Sequence, residues 1–460
     1  MPIMYSKRVR RLHFVGIGGA GMSGIAEVVK ENGFEVTGSD MGEGQVIDYL
    51  KGLGISIAPK HEAKNVENAD LVVYSSAIPY DNVELVEARN RRIPIIRRAE
   101  MLGELMRLKY TLAIAGTHGK TTTTSIVGQI WEEAKRDPTI IVGGVVKGKG
   151  SGAKVGRGDY LIAESDEFDR SFLSMMPSSA IITNIDSDHL DTYGNIEEIK
   201  AAFVEFANKV PFYGQVIVCL DDPNVQQILS KLKKPVITYG FTRQAKYRID
   251  NLRFDHGYPH FEIFNDGVSL GQFQLKIPGR HNVLNATAAI ALAVEEGIDI
   301  EIARHAAAAF EGVKRRFEFI GEKNGVMVFD DYAHHPTEAT ATLLGFREAF
   351  PDKRVIVAFQ PHLFTRTRDQ HESFGSAFAN CDVLLVTDIY PSREKPIEGI
   401  TGALVADSAT VRGHRDARFV GDQMNLIPIL KKELRPNDVV VLMGAGNVWK
   451  LGTKILEECI

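Results

Sequence analysis

From residue 11 to residue 108 the chain alternates short apolar runs with amphipathic stretches: "RLHFVGIG", a helical pattern through "GIAEVVKEN", then "FEVTGSD", another amphipathic segment, "ADLVVYSSAIP" and "IPIIRR". Apolar runs of strand length, separated by segments with apolar residues three and four apart, predict βα units. Such units build a largely parallel sheet with helices on its faces. A second block opens at "YTLAIAGTHGKTTTTSIVGQIWEEA" and continues through "DYLIAESDEFD" and "AIITNIDSDHLD". Between Lys246 and Lys276 the period changes to two, in "YRIDNLRF", "HFEIF" and "GQFQLKI" around turns such as "NDG". That change predicts antiparallel ribbons. A helix is predicted at "NVLNATAAIALAVEEG", and after "GVKRRFEFIGEKNG" the βα rhythm returns with "VMVFDDYAHHP", "RVIVAFQPH", "DVLLVTDIYP" and "DVVVLMGAGNV". The fold class is therefore α/β, with boundaries near residues 109 and 316 and no internal repeat beyond the βα rhythm.

Composition narrows the partners. A chain of 460 residues exceeds what one hydrophobic core serves and fits about three domains. A net charge of −5 gives no basic footprint, which argues against nucleic acid or an anionic membrane as partner but leaves small anions open. Cys219, Cys381 and Cys459 lie far apart with no C-x-x-C pair, so neither a disulfide framework nor a zinc site is expected, as suits a cytoplasmic protein. The opening "MYSKRVRRLHFVGIGGAGMSGIAEVV" has the basic start of a secretion signal, but its glycines and His13 suit a strand, turn and helix better. No apolar run reaches the length of about 18 residues that a membrane helix needs.

Two glycine loops carry the candidate chemistry. In "AGTHGKTTTT", Gly116 and Gly119 let backbone N–H groups turn inward around phosphate oxygens at a helix N-terminus. Lys120 would reach the β and γ phosphates and the Thr121 hydroxyl would face Mg²⁺, although Ile114 stands where a standard P-loop has its first glycine. Nearer the start, Gly16, Gly18 and Gly21 match G-x-G-x-x-G after a strand, and Asp40 ends the next strand at the distance expected for a ribose-binding acid. Alone that loop suggests NAD; beside an ATP loop it equally suits another diphosphate, such as a UDP-sugar. Glu164 and His189 each follow an apolar strand and offer metal ligands near the phosphates, a solvated acidic loop with a capping role being the equal alternative for Glu164, while Asp186 and Asp188 suit capping.

Other clusters have two readings each. Asn282 and Asn285 are helix caps or base-binding amides; Arg315 and Arg316 are solvated charges or a phosphate clamp. Asp331, Tyr332, His334, His335, His362, Arg366 and Arg368 follow strands, where histidine with arginine could hold an amino acid's carboxylate.

In order along the chain, "GTHGKTTTT", "ESDEFD", "NIDSDHLD", "PGRHNVLNATAA", "RRFE", "DDYAHHP" and "GAGNVW" resemble the Mur ligases, the ATP-dependent peptide-forming enzymes of peptidoglycan synthesis. "HFVGIGGAGMSGIAEV" and "FQPHLFTRT" look like the branch that adds L-alanine to UDP-N-acetylmuramate. The resemblance implies a Rossmann-like N-terminal domain (1–108) for the UDP-sugar and a P-loop central ATPase domain (109–315) with a small antiparallel β portion. A Rossmann-like C-terminal domain (316–460) would carry the amino-acid site. It places Gly18, Gly19, Ala20, Ser39, Asp40, Ser76 and Ile78 at the UDP-sugar. Gly116, Thr117, His118, Gly119, Lys120, Thr121, Thr122, Asn285, Arg316 and Asp331 fall at ATP. Thr121, Glu164 and His189 match metal positions, Lys120, Glu164 and His189 are the catalytic set, and Tyr332, His334, His362 and Arg366 surround the alanine. ATP and Mg²⁺ are the implied cofactors, UDP-N-acetylmuramate and L-alanine the partners, in a monomer or homodimer.

Two positions depart from the wider family. Phe203 stands where ligases adding later residues carry a carbamylated lysine, and Leu363 where arginine can follow the histidine of "FQPH", which shifts carboxylate binding toward Arg366. Competing readings are a recycling ligase that adds a whole tripeptide to the same sugar nucleotide, an NAD-linked oxidoreductase, which leaves the Gly-Lys-Thr loop unused, and a non-catalytic ATP switch.

Overall fold

A computed structural model describes residues 9–75, 77–143, 153–168, 170–187, 190–255, 257–392 and 394–460, apart from the side chains of residues 20, 190 and 191. The first βα stretch forms a five-stranded parallel sheet from β1 (Arg11–Val15), β2 (Glu35–Ser39), β3 (Ser56–Ala58), β4 (Leu71–Tyr74) and β5 (Ile95–Arg97), in the order β3-β2-β1-β4-β5. In β1 only Arg11 is exposed, as expected of a strand covered on both faces. Because β1 lies between β2 and β4, the chain leaves its carboxyl end at the point where strand order reverses, and a crevice opens there.

Beneath that crevice lies a polar knot the sequence reading did not anticipate. Glu84 is fully buried and accepts from Ser39 Oγ at 2.6 Å and Asn65 Nδ2 at 2.5 Å, with His61 Nδ1 at 3.3 Å and His13 Nε2 at 3.6 Å. Burial pushes the Glu84 carboxyl up, but its contacts with His13, Ser39 and Asn65 outweigh that and hold it at about 2. A depressed carboxyl stabilises the fold above its unfolded value of 4.5, and this contribution is lost as pH falls from there toward 2. The shift corresponds to roughly 3 kcal/mol. Acid unfolding followed by circular dichroism should therefore be less steep between pH 5 and pH 3 (about that window) in Glu84→Gln than in the natural protein; equal slopes would remove Glu84 from the acid response.

The central block forms a ten-stranded sheet. Its strands are β6 (Tyr110–Ala115), β7 (Thr139–Ile141), β8 (Ala153–Lys154), β9 (Tyr160–Glu164), β10 (Ser179–Ile182), β11 (Val216–Cys219), β12 (Val236–Gly240), β13 (Tyr247–Asp255), β14 (Tyr258–Asn265) and β15 (Val268–Gln274), ordered β15-β14-β13-β12-β11-β10-β6-β9-β7-β8. The pairs from β13 through β12, β11, β10, β6 and β9 to β7 are parallel. The period-two segment is β13 to β15, with buried positions alternating along β13 and β14. Two-residue links join these neighbours, which permits only an antiparallel return. At the second link Asp266 and Gly267 have φ of 47° and 83°, as the "NDG" turn requires.

The last block forms a six-stranded sheet from β16 (Glu318–Lys323), β17 (Val326–Asp331), β18 (Arg354–Phe359), β19 (Val383–Thr387), β20 (Ala417–Gly421) and β21 (Asp438–Met443), in the order β16-β17-β21-β18-β19-β20. Only β16 runs antiparallel to its neighbour. Separate apolar clusters cover the two faces, one around Phe346, Phe359 and Phe378, the other around Leu426, Leu430 and Ile455.

The three sheets group into two compact units. The first two sheets share a continuous core, in which Ile25, Leu102, Leu105 and Met106 belong to the same cluster as Phe172 and Ala163. The second unit takes in Asn251–Phe261 and Gln272–Val283 as well as Ala308–Ile460, so the chain enters it ahead of the expected boundary at 316. Close backbone packing explains this: a Cβ on Gly257 would lie 2.9 Å from the Ala349 Cα, and one on Gly345 3.2 Å from the Gly279 Cα. Among the described residues no helix is long and apolar enough to cross a membrane.

Candidate functional site

The central loop leaves β6 and enters the helix Lys120–Glu133. Gly116 and Gly119 have φ of 135° and 82°, conformations that L side chains rarely adopt. Space is equally restrictive, since a Cβ on Gly116 would collide with Thr183 Oγ1 and one on Gly119 would come within 2.5 Å of Asn285 Oδ1. The loop is tied to the strand-end beyond β10: His118 N donates to Asn184 Oδ1 at 2.8 Å, Thr183 Oγ1 donates to His118 O at 2.6 Å, and Asp186 N donates to Thr117 Oγ1 at 2.9 Å. His118 Nε2 also lies 3.0 Å from Asp186 Oδ2, so Asp186 braces the loop. Thr122 is buried in the helix's first turn.

Lys120 Nζ donates to Gly116 O at 2.8 Å, Thr117 O at 3.1 Å and Glu167 Oε2 at 2.8 Å, with Asp166 Oδ1 at 3.8 Å. Burial pulls the ammonium down, but Glu167, Asp166 and Glu164 raise its pKa above the ordinary lysine value, so it stays charged. Glu167, 2 % exposed, was not singled out in the sequence; burial pushes its carboxyl up while Lys120 pulls it down. Beside this pair, Thr121 Oγ1 donates to Glu164 Oε2 at 3.0 Å, and Gly143 N donates to the same oxygen at 2.9 Å. Asp166 is nearly half exposed. A hydroxyl and a carboxylate side by side are hard oxygen donors of the kind Mg²⁺ takes, so Thr121 and Glu164 fit it. His189, the other expected ligand, lies outside the described residues, as does Ser76. Phe203 is fully buried against Phe172, with ring centroids 5.2 Å apart, and serves packing.

The first loop follows β1. Gly16 has φ of 78°, and Gly16 N and Ile17 N both donate to Ser39 O, at 2.8 and 3.1 Å. Asp40 accepts from Gly18 N at 2.7 Å on one oxygen and from Gly42 N at 2.8 Å on the other. Ser39, expected at the UDP-sugar, is fully buried with its hydroxyl on Glu84, so its side chain supports the loop from beneath. Ile78 packs against Gly16, where a Cβ would be 3.2 Å from Cδ1. Gly19 is the N-cap of the helix beginning at Ala20. Since Asp40 fixes two loop amides, Asp40→Ala should raise the KM for a bound sugar nucleotide about tenfold while leaving that for ATP unchanged, as steady-state kinetics would reveal.

A cavity of ≈ 220 Å³ is lined by Gly19 and Gly21 of the first loop, by Arg98, and by Gly143, Glu164 and Asp166; of these, Glu164 and Asp166 also approach Thr121 and Lys120 of the central loop.

In the second unit, Arg315 and Phe317 have φ of 62° and 50°, with Arg316 between them. Asp331 accepts from Phe317 N at 2.8 Å on one oxygen, and from Ala333 N at 2.9 Å and Thr342 Oγ1 at 3.2 Å on the other. It thus anchors this turn, and burial pushes its carboxyl up. Arg315 donates to Asp330 and Gly444 O, while Arg316 Nη1 lies 3.3 Å from Glu338. Past the carboxyl ends of β17, β18 and β19 runs a row of rings: Tyr332 to His334 at 5.2 Å, His334 to His362 at 5.9 Å and His362 to Tyr390 at 5.9 Å. His334 Nδ1 lies 3.0 Å from Tyr332 O and 3.2 Å from Glu338 Oε2. Tyr390 was missed because its ring joins His362 only through the pairing of the segments that follow β18 and β19. Leu363, at φ 69°, caps the helix Phe364–Ala377 that carries Arg366, and Thr365 is held by Glu394.

Comparison with known proteins covers the same three blocks. Residues 11–110 match a family model described as Mur ligase family, catalytic domain; residues 114–293 match Mur ligase middle domain; residues 315–446 match Mur ligase, glutamate ligase domain. A UDP-N-acetylmuramate--L-alanine ligase of Geobacter sp. (strain M21) is 49% identical over 98% of this chain and 98% of its own length. One from Sorangium cellulosum (strain So ce56) is 50% identical over 97% of this chain and 95% of its own. The crystal structure of a UDP-N-acetylmuramate-alanine ligase from Thermotoga maritima superposes with a TM-score of 0.80 at 31% identity, covering 97% of this chain and 98% of the other.

Proposed function

The chain belongs to the Mur ligase family, and from that premise we propose how its two loops cooperate. It is an ATP-dependent ligase that joins L-alanine to UDP-N-acetylmuramate in peptidoglycan precursor synthesis. In our reading the glycine loop after β1 holds the diphosphate, with Gly18, Gly19, Ala20 and Ile78 around it and Ser39 and Asp40 bracing it. The loop from Gly116 to Thr122 cradles ATP, with Asn285 beside Gly119 and with Arg316 and Asp331 contributed by the last domain. Domain boundaries near 109 and 316, a cytoplasmic location and a monomeric or dimeric state complete the proposal.

The muramyl carboxylate attacks the γ-phosphorus of ATP, and the bond to ADP breaks to leave an acyl phosphate. The neutral amine of alanine then attacks the acyl carbon and inorganic phosphate departs. Two anions must approach each other in the first step, so charge stabilisation dominates the barrier. Lys120 and the inward loop amides supply it from this chain. Mg²⁺, held by Thr121, Glu164 and His189, would screen the same repulsion when bound. Tyr332, His334, His362 and Arg366 orient the alanine, with Arg366 suited to its carboxylate. The observation that carries this reading is a cavity lined by Gly19 and Gly21 of the first loop and by Glu164, which accepts from Thr121 of the second. Phosphate release should require UDP-N-acetylmuramate, ATP and L-alanine together. If a tripeptide stimulates release and alanine does not, the recycling reaction is the correct one.

A further inference from the structure

Among the described residues lining this cavity, Arg98 is the sole cation, and Glu164 and Asp166 line the same space. It opens the helix Arg98–Met106 immediately after β5, where Glu100 reaches back to accept from Arg97 N at 2.6 Å and fixes the start of that helix. The guanidinium lies directly over the third glycine of "GIGGAG": a Cβ on Gly21 would be 3.0 Å from Nη1 and 3.4 Å from Cδ. Neighbouring arginines are engaged within the protein, Arg91 with Glu67 and Glu87, Arg89 over the Tyr80 ring and Arg97 with Tyr74. No hydrogen bond or ion pair engages the Arg98 guanidinium among the described residues. The guanidinium therefore belongs to a cavity that two carboxylates also line.

We propose that Arg98 is a substrate-binding residue that grips the diphosphate of the sugar nucleotide at the start of the helix Ala20–Glu31, an inference that rests on the functional reading above. Its place over Gly21, in the first turn of that helix, puts its fork where an anion at the helix N-terminus would also lie. A planar guanidinium matches two phosphate oxygens at once. Its charge also offsets the repulsion that Glu164 and Asp166 exert on an incoming dianion. Gly21 then has a second reason to be glycine, because a side chain there would displace the guanidinium.

The test compares binding of UDP-N-acetylmuramate with that of UDP-N-acetylglucosamine, which has the same diphosphate but lacks the lactyl carboxylate. In Arg98→Ala, Kd should rise by about 10- to 100-fold for both nucleotides alike, with ATP binding unchanged. Arg98→Lys should fall between, because an ammonium cannot form the paired contact, and Gly21→Ala should shift both Kd values in the same direction. Thermal midpoints of Arg98→Lys and the natural protein identify any loss due to misfolding. A rise confined to UDP-N-acetylmuramate would move Arg98 to the carboxylate and overturn the proposal, as would unchanged binding of both. If the natural protein binds neither nucleotide, the reading of the first loop fails, and this inference with it.

Discussion

Lys120→Ala is expected to lower kcat/KM for ligation by about a thousandfold or more, measured as ADP release at saturating alanine. The ammonium sits at the mouth of the loop on the Gly116 and Thr117 carbonyls, where charge develops on the transferring phosphoryl group. The same substitution leaves Glu167 buried without its cation, at a cost to stability of about 3 to 5 kcal/mol. These two effects separate in the double variant Lys120→Ala/Glu167→Gln, which should recover much of the thermal stability and none of the activity. Near-normal turnover in either variant would remove Lys120 from phosphoryl transfer.

Glu164→Gln should lower turnover by roughly a hundred- to a thousandfold and move the Mg²⁺ requirement to higher concentration. The amide keeps an oxygen for Thr121 Oγ1 and Gly143 N, so the local fold should persist while the negative charge disappears. A Mg²⁺ titration of ADP release reads the shift directly. An unchanged titration midpoint with lowered turnover would assign Glu164 to orientation of the loop instead of to the ion.

The two glycine loops were legible in the sequence as strand-to-helix turns because each joins glycines to a preceding apolar run and a following helix, a local signal that needs no tertiary information. The antiparallel segment was equally legible from its period of two. Glu167 was not, although it lies inside the quoted "ESDEFD". Its pairing with Lys120 arises because β9 lies beside β6, and a sequence motif does not reveal which acid of an acidic loop turns inward. Asp40 was recognised by spacing and Ser39 through the resemblance to the Mur ligases, but their partners, the Gly18 amide in the loop after β1 and the buried Glu84 on the helix Val83–Asn90, come from elsewhere in the chain. Arg98 had the appearance of one charge in a basic run until packing set it over Gly21. The early entry of the chain into the second unit was hidden for the same reason, since it depends on Gly257 and Gly345 touching distant backbone.

Thr183 occupies the space that a methyl group on Gly116 would need, and its hydroxyl also holds the carbonyl of His118. The dimensions of the central glycine loop are thus set partly by a residue that lies 67 positions downstream of the loop glycine, on the far side of a strand crossover (Gly116 to Thr183). An evolving enzyme of this design could not reshape that loop one residue at a time: enlarging Gly116 demands a smaller partner at 183 together with a backbone other than φ 135°, and losing the hydroxyl at 183 releases the loop. Covariation between these two sites across descendants is the trace such a constraint would leave.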